Sequence, residues 1–297
     1  MKKLLFIYNP VSGKGLIRQK LSTVVERMTQ AGWLVTVCPT QGAGDAERIA
    51  EELGGKFDRV VCSGGDGTLS QTVSGLVRLP KPPTLGYIPA GSTNDCARNL
   101  RLPAGVEKTA MLAAGGGVLR PLDVGMLNDR PFVYVAAFGA FTDVAYDTPQ
   151  ELKKTFGHLA YVVNGIGQLT NLVPHHLRVE SGGEVIEGDF LLGMVCNTYS
   201  VGGVKALSEE QVKLDDGLCE VILIRKEVNL ADVVTALQAL GEGRTVNTPA
   251  ITSFQAAEVQ FTADVPVAWT LDGVYGGSYD NCRAVNRTQA LQVVFGK

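Results

Sequence analysis

The sequence holds no apolar run near the roughly 20 residues that span a bilayer, so it offers no membrane-crossing helix. The opening MKKLLFIYNP has an apolar stretch that stops at Asn9-Pro10 with no small-residue cleavage site, so it reads as a first strand and not as a secretory leader. No basic block stands out and the formal net charge is -3, which argues against nucleic acid as a partner. The six cysteines, Cys38, Cys62, Cys96, Cys196, Cys219 and Cys282, never form a C-x-x-C pair. That spacing excludes a zinc ribbon and speaks against a disulfide framework; it fits reduced, mostly buried thiols in a cytoplasmic protein. The three histidines, His158, His175 and His176, have no metal-ligand partner at short spacing. Charged residues make up only 19% of the 297 residues and hydrophobic ones 45%. A chain of that composition builds a sizeable core, in one large domain or two ordinary ones.

What is present is an alternation. LLFIY (4–8), LVTVC (34–38), RVVC (59–62) and TLGYIP (84–89) read as buried strands. Between them, residues 16–31, 45–53 and 69–77 carry apolar positions at helical spacing. Strand and helix alternate through about residue 120, which predicts a parallel, doubly wound, Rossmann-like sheet whose ligands sit at the carboxyl ends of its strands. After Asp123 the texture changes. VYVAAFGAF (133–141) is an apolar run, 150–172 and 230–240 look helical, and most of the rest reads as strands with Gly-rich turns. This half predicts a mostly antiparallel β domain. No internal repeat, low-complexity tract or flexible linker interrupts the chain.

Three polar turns each follow a predicted strand: NPVSGKG, SGGDGT and PAGSTND. All three are expected on one edge of the sheet. Glycine lets a bulky anion approach main-chain N–H groups, and a helix starting at the turn adds its positive end. Asn9, Ser12 and Gly13 in the first turn, Asp66 and Thr68 in the second, and Ser92, Asn94 and Asp95 in the third offer polar groups. Together they point to a nucleotide phosphate site. The first turn lacks the G-x-x-x-x-G-K-[ST] spacing of a P-loop, and it lacks the G-x-G-x-x-G of dinucleotide redox enzymes. Taken alone, each turn is also consistent with an ordinary strand-to-helix connection.

NPVSGKG, GGDGTLSQTV, GYIPAGSTNDCAR, LDVG, AAFGAFTDVAYDTPQELKKTFGHLAY, VKLDDGL and LDGVYGG, in this order, resemble the bacterial diacylglycerol kinase family. These are soluble lipid kinases, more distantly related to sphingosine kinases and NAD kinases. The resemblance spans essentially the whole chain. GGDGT alone is shared with NAD kinases and phosphofructokinases; the ordered set is far more specific. It implies a nucleotide-binding α/β domain over 1–124, to which the strand at 288–297 returns, and a C-terminal, mostly antiparallel β-sandwich domain over 125–287 for the lipid acceptor, with ATP in the cleft between them. It places nucleotide contacts at Asn9, Pro10, Ser12, Gly13, Thr40, Gly65, Asp66, Gly67, Thr68 and Ser92. It places a structural Mg²⁺ at Asp216 with the carbonyls of Lys213 and Leu218. Read from the residues alone, that stretch is simply a polar turn before a strand.

The chain departs from the family in two places. Where the family reads Asp-Gly-Glu, with the glutamate as general base, this chain reads Asp272-Gly273-Val274. Where the family shows Asn-Glu after the leucine of GGDGTL, it has Ser70-Gln71. Three readings follow. The first is an ATP- and Mg²⁺-dependent lipid kinase, cytoplasmic or peripheral at the membrane, with Asp66 organising the metal–nucleotide complex, Asp95 in the same network and Asp272 facing the acceptor. The second is a nucleotide- and lipid-binding pseudokinase. The third is an NAD kinase. A homodimer is compatible with any of them.

Overall fold

The computed structural model describes residues 1–91, 94–139, 173–198, 200–201, 204–205, 213–227 and 247–296. Ser92 and the predicted helices within 150–172 and 230–240 lie outside the described residues. The chain forms two compact units, Met1–Asp123 with Gln289–Lys297, and Val124–Thr288.

The first unit contains strands β1 (Lys2–Tyr8), β2 (Trp33–Pro39), β3 (Arg59–Gly64) and β4 (Thr84–Pro89). Helices α1 (Leu16–Gln19), α2 (Leu21–Gln30), α3 (Asp45–Leu53), α4 (Asp66–Leu76), α5 (Asp95–Asn99) and α6 (Val106–Met111) connect or follow them. Then β5 (Val118–Leu127) carries the chain out of this unit. β1 pairs in parallel with β2 and β3, and β3 with β4. Leu4, Leu5, Phe6 and Ile7 have no exposed surface. A parallel strand covered on both faces is apolar without alternation, and β1 is such a strand. On one face Leu4, Phe6, Tyr8, Val61 and Ile88 pack with Ile17, Val24, Met28, Val106 and Ala110 of the helices. The expected helix at 16–31 is broken at Lys20 (φ -101°, ψ 7°), which separates α1 from α2.

In the second unit β6 (Arg130–Phe132) turns back along β5, and β7 (Val135–Gly139), β8 (His175–Ser181) and β9 (Glu184–Cys196) follow. A short hairpin pairs β10 (Ser200–Val201) with β11 (Val204–Lys205). Then come β12 (Cys219–Arg225), β13 (Ile251–Ala256), β14 (Glu258–Leu271) and β15 (Val274–Phe295), whose last residues belong to the first unit. Among the described residues these strands pair antiparallel within the second unit, in the order β13–β12–β9–β7–β14–β15. The long strands β9 and β14 each pair with β7 near one end and with β8 near the other, which folds the sheet over its core. Phe138, Phe261 and Trp269 meet edge-to-face there, with ring centroids 5.0–6.2 Å apart, an arrangement aromatic quadrupoles favour. The chain is therefore an α/β unit with a Rossmann-like parallel sheet joined to an antiparallel β-sandwich unit. Among the described residues no helix is long and apolar enough to cross a membrane.

Candidate functional site

In the first unit the parallel register puts Tyr8, Ser63 and Ile88 in one row. The three turns that follow β1, β3 and β4 therefore leave the sheet on one edge. They are also laced together. Asn9 N–H donates to Ser63 O, and Ala90 N–H to Gly64 O, both at 2.8 Å. A Cβ at Gly13 would collide with the Ala90 carbonyl, so the first turn lies directly on the third. Thr40, buried at the end of β2, donates its N–H to Tyr8 O at 2.9 Å. Pro10 and Ser12 are half-buried on the same loop, while Gly13 is exposed.

The GGDGT stretch is less of a turn than the sequence suggests. α4 starts at Asp66, three residues earlier than the apolar pattern indicates, so Asp66, Gly67 and Thr68 form its first turn. An acidic residue in a first helical turn is favoured by the helix dipole. The three glycines then have separate reasons. A Cβ at Gly64 would strike the Thr68 side chain, and Gly65 lies in van der Waals range of Gly91. Gly67 is exposed, and a Cβ there would meet nothing within 4 Å. Neither Gly65 nor Gly67 has an internal packing reason to be glycine, and of the three only Gly67 would point a Cβ into open space. Beside it, Asn9 Nδ2 donates to Thr68 Oγ1 at 3.5 Å. The Ser63 hydroxyl, at the end of β3, is buried with no hydrogen-bond partner.

Asp66 and Asp95 come together, as the sequence reading expects. The N–H groups of Asp95 and Cys96 donate to Asp66 Oδ2 and Oδ1, each at 3.1 Å. Burial pushes the Asp66 carboxyl above its ordinary range; the two N–H bonds pull it back and the neighbouring Asp95 charge pushes it further up. Asp95 itself pairs with Arg98 at 3.2 Å. A cation beside this pair relieves both the burial and the like-charge contact. Asn94 closes the third turn, its Oδ1 accepting from Gly91 N–H at 2.9 Å and its Nδ2 donating to Gly91 O at 2.7 Å. Gln71, uncharged where the family carries a glutamate, accepts the Gly44 N–H at 3.2 Å and so holds the loop after β2. A neutral amide suffices for that role.

The second unit holds the remaining candidates. Asp272 is 5% exposed. Its Oδ2 accepts Val133 N–H at 2.8 Å, and its Oδ1 accepts Tyr134 and Val135 N–H at 3.0 and 3.1 Å. Three consecutive N–H groups around one anion form a nest, here filled by a side chain. Asp272 (φ 50°) and Gly273 (φ 81°) make a two-residue turn between Leu271 and Val274, the conformation that suits tight hairpins. Both oxygens of Asp272 thus clamp the backbone of Val133–Val135, a role the sequence reading did not assign to it. Val274 is 60% exposed. At the turn where the resemblance implies a metal, Asp216 Oδ1 accepts Leu218 N–H at 3.0 Å, and Asn286 Nδ2 donates to Leu218 O at 2.7 Å. Asp216 Oδ2 and the second lone pair of the Leu218 carbonyl are the donors left for an ion, with the backbone of the exposed Lys213 three residues before Asp216.

Sequence reasoning missed two residues. The Cys96 N–H that holds Asp66 carries no side-chain signal. Asp123, within LDVG, is fully buried and accepts Gln289 N–H at 2.5 Å; an aspartate inside an otherwise apolar strand was the available sign.

Comparison with known proteins yields two family matches. The model for the diacylglycerol kinase catalytic domain matches residues 3–127. The model for the YegS C-terminal NAD kinase beta sandwich-like domain matches residues 137–295. A Bacillus subtilis (strain 168) protein named diacylglycerol kinase is 35% identical over 298 residues, covering 100% of this chain and 97% of the relative. A Staphylococcus carnosus (strain TM300) protein of the same name is 33% identical over 280 residues, covering 93% of this chain and 90% of the relative. The crystal structure of a diacylglycerol kinase from Bacillus anthracis str. Sterne aligns with a TM-score of 0.77 at 22% identity, covering 99% of this chain and 97% of that one. That likeness is one of fold.

Proposed function

The chain belongs to the diacylglycerol kinase family, and from that membership we propose that it transfers the terminal phosphoryl group of ATP to a hydroxyl of diacylglycerol or a similar lipid. The observation that carries this reading is the open face at Gly67, on the first turn of α4, beside the half-buried carboxylate of Asp66. A glycine in a helix costs about 0.5–1 kcal/mol relative to alanine. With no internal neighbour to require it, an approaching phosphate accounts for it. In this reading Asn9, Pro10, Ser12, Gly13, Thr40, Gly65, Gly67, Thr68 and Ser92 surround the nucleotide, and Asp66 with Asp95 faces its cation. Bound Mg²⁺ supplies neutralisation of phosphate charge. A second ion at Asp216, Lys213 O and Leu218 O is a structural one.

Asp272 enters as a positioning residue. With its carboxylate clamped by three backbone N–H groups and Val274 two residues on, the chain has no free carboxylate poised for the acceptor's proton there. Phosphoryl transfer depends mainly on positioning and charge neutralisation, whereas a general base contributes about 10²–10⁴ in rate. The reading therefore predicts slow but measurable turnover. The occupied Asp272 also favours a second reading, a nucleotide-binding pseudokinase. Lipid phosphorylation in mixed micelles with labelled ATP and Mg²⁺ separates the two. The kinase reading expects native turnover, a rise of about 10² or more with Val274→Glu, and loss with Asp66→Asn. Turnover only in Val274→Glu makes the native chain a pseudokinase. Turnover of NAD in place of lipid overturns both.

A further inference from the structure

Position 274, where the resemblance implies a carboxylate base, carries an exposed valine, and the oxygens of Asp272 are already held by backbone N–H groups. One other side-chain oxygen lies at this turn. Among the described residues, the only atom within 4 Å of the place a Cβ would take at Gly273, its chain neighbours aside, is Tyr134 Oη, at 3.9 Å. Gly273 is exposed and has no side chain of its own to cover that oxygen.

Tyr134 is fixed at both of its peptide groups. Its N–H donates to Asp272 Oδ1 at 3.0 Å, and its carbonyl accepts the Asn197 N–H at 3.1 Å. The half-buried side chain packs against the cluster of Val135, Ala137 and Cys196 from β7 and β9. The carboxylate that shapes the turn thus also holds the residue whose hydroxyl lies against it. A polar group supported by strands and by backbone hydrogen bonds is placed more precisely than one on a loop.

We propose that the Tyr134 hydroxyl receives the hydroxyl of the lipid acceptor in this chain, in the role that a carboxylate at position 274 would otherwise fill. The inference rests on the lipid kinase reading above. A phenol both donates and accepts, so it can accept from the incoming hydroxyl while donating elsewhere. In the transfer, the acceptor oxygen forms its bond to the terminal phosphorus as the bond from that phosphorus to the ADP oxygen breaks, and the electron pair of the broken bond leaves with ADP. The acceptor's proton passes to the phenol oxygen and the phenol's own proton passes to solvent, so Tyr134 ends unchanged. Catalysis of phosphoryl transfer is mostly positioning and electrostatic stabilisation, and a neutral phenol supplies the positioning.

Mixed-micelle kinetics with labelled ATP and diacylglycerol test this on the native chain, Tyr134→Phe, Val274→Glu and the double variant. Tyr134→Phe is expected to lower kcat about tenfold, the worth of one hydrogen bond to a neutral group, with the KM for ATP unchanged. In the Val274→Glu background the same substitution is expected to cost less than about twofold, because the glutamate then takes the acceptor's proton and the two effects are not additive. Tyr275→Phe, which removes the exposed phenol next to Val274, is the control and leaves turnover unchanged. Native turnover that survives Tyr134→Phe intact overturns the proposal and spares the kinase reading. So does an equal loss in both backgrounds, the mark of a phenol that only supports the fold. A native chain without turnover, whether or not Val274→Glu is active, overturns both.

Discussion

Gly67 illustrates how a single residue can set stability against binding. It sits exposed in the first turn of α4 with nothing for a Cβ to meet. Gly67→Ala is therefore expected to raise unfolding free energy by about 0.5–1 kcal/mol while weakening ATP binding at least tenfold. Denaturant titration and calorimetry check the two halves, and unchanged ATP affinity sinks the phosphate assignment of this residue. Asp272 is the opposite case, a residue with no freedom left. Removing its carboxylate strands three N–H groups, two buried and one partly buried, so Asp272→Ala is expected to cost about 3 kcal/mol or more. Asp272→Asn, which keeps one acceptor oxygen, costs less. Amide exchange should speed up selectively at Val133, Tyr134 and Val135. If Asp272→Asn instead erases the acid limb of the pH–rate profile while leaving those amides protected, the residue is a base after all. The sequence shows Asp272-Gly273 as a turn-forming pair, and it is one. It does not show the clamp, whose partners lie 137–139 residues away; no local pattern encodes a contact of that separation.

At the scale of elements, legibility follows from what each element buries. β1, β3 and β4 are readable because strands covered on both faces are apolar end to end, and the turns after them are readable because glycine and proline punctuate them. The α4 boundary is not, because its first turn is polar and faces outward, so the apolar period begins only at Leu69. The meeting of Asp66 with Asp95 was an expectation from three turns sharing an edge, and the parallel register produces that edge. The turn at Lys213–Leu218 is a polar element that closes through Asp216 and Asn286 with protein groups alone. A structural cation there makes a separate prediction. Mg²⁺ should raise the melting temperature of the native chain, and Asp216→Ala should remove that increment. Identical increments in both place the ion elsewhere. Loss of the Asx-type bond alone is expected to cost about 1 kcal/mol with or without metal.

For the molecule as a whole, the decisive fact is that the first unit is built from both ends of the chain. Leu291, Val293, Val294 and Phe295 are all at least nine-tenths buried, and Val293 pairs in parallel with Leu85. Leu291→Ala is thus expected to cost about 2–5 kcal/mol, and the loss should appear as faster amide exchange in β4, more than 200 positions earlier in the sequence. Exchange confined to β15 counts against this coupling. The chain leaves the first unit after Asp123 and re-enters it at Gln289, where the buried Asp123 carboxylate receives the returning strand. Synthesis runs from one end to the other, so this arrangement imposes an order. The residues from Gln289 onward that join the first unit's sheet are made only after everything between Val124 and Thr288. A chain interrupted anywhere in the second unit carries GGDGT on an unfinished sheet, so the first unit closes only in a chain that already possesses the second.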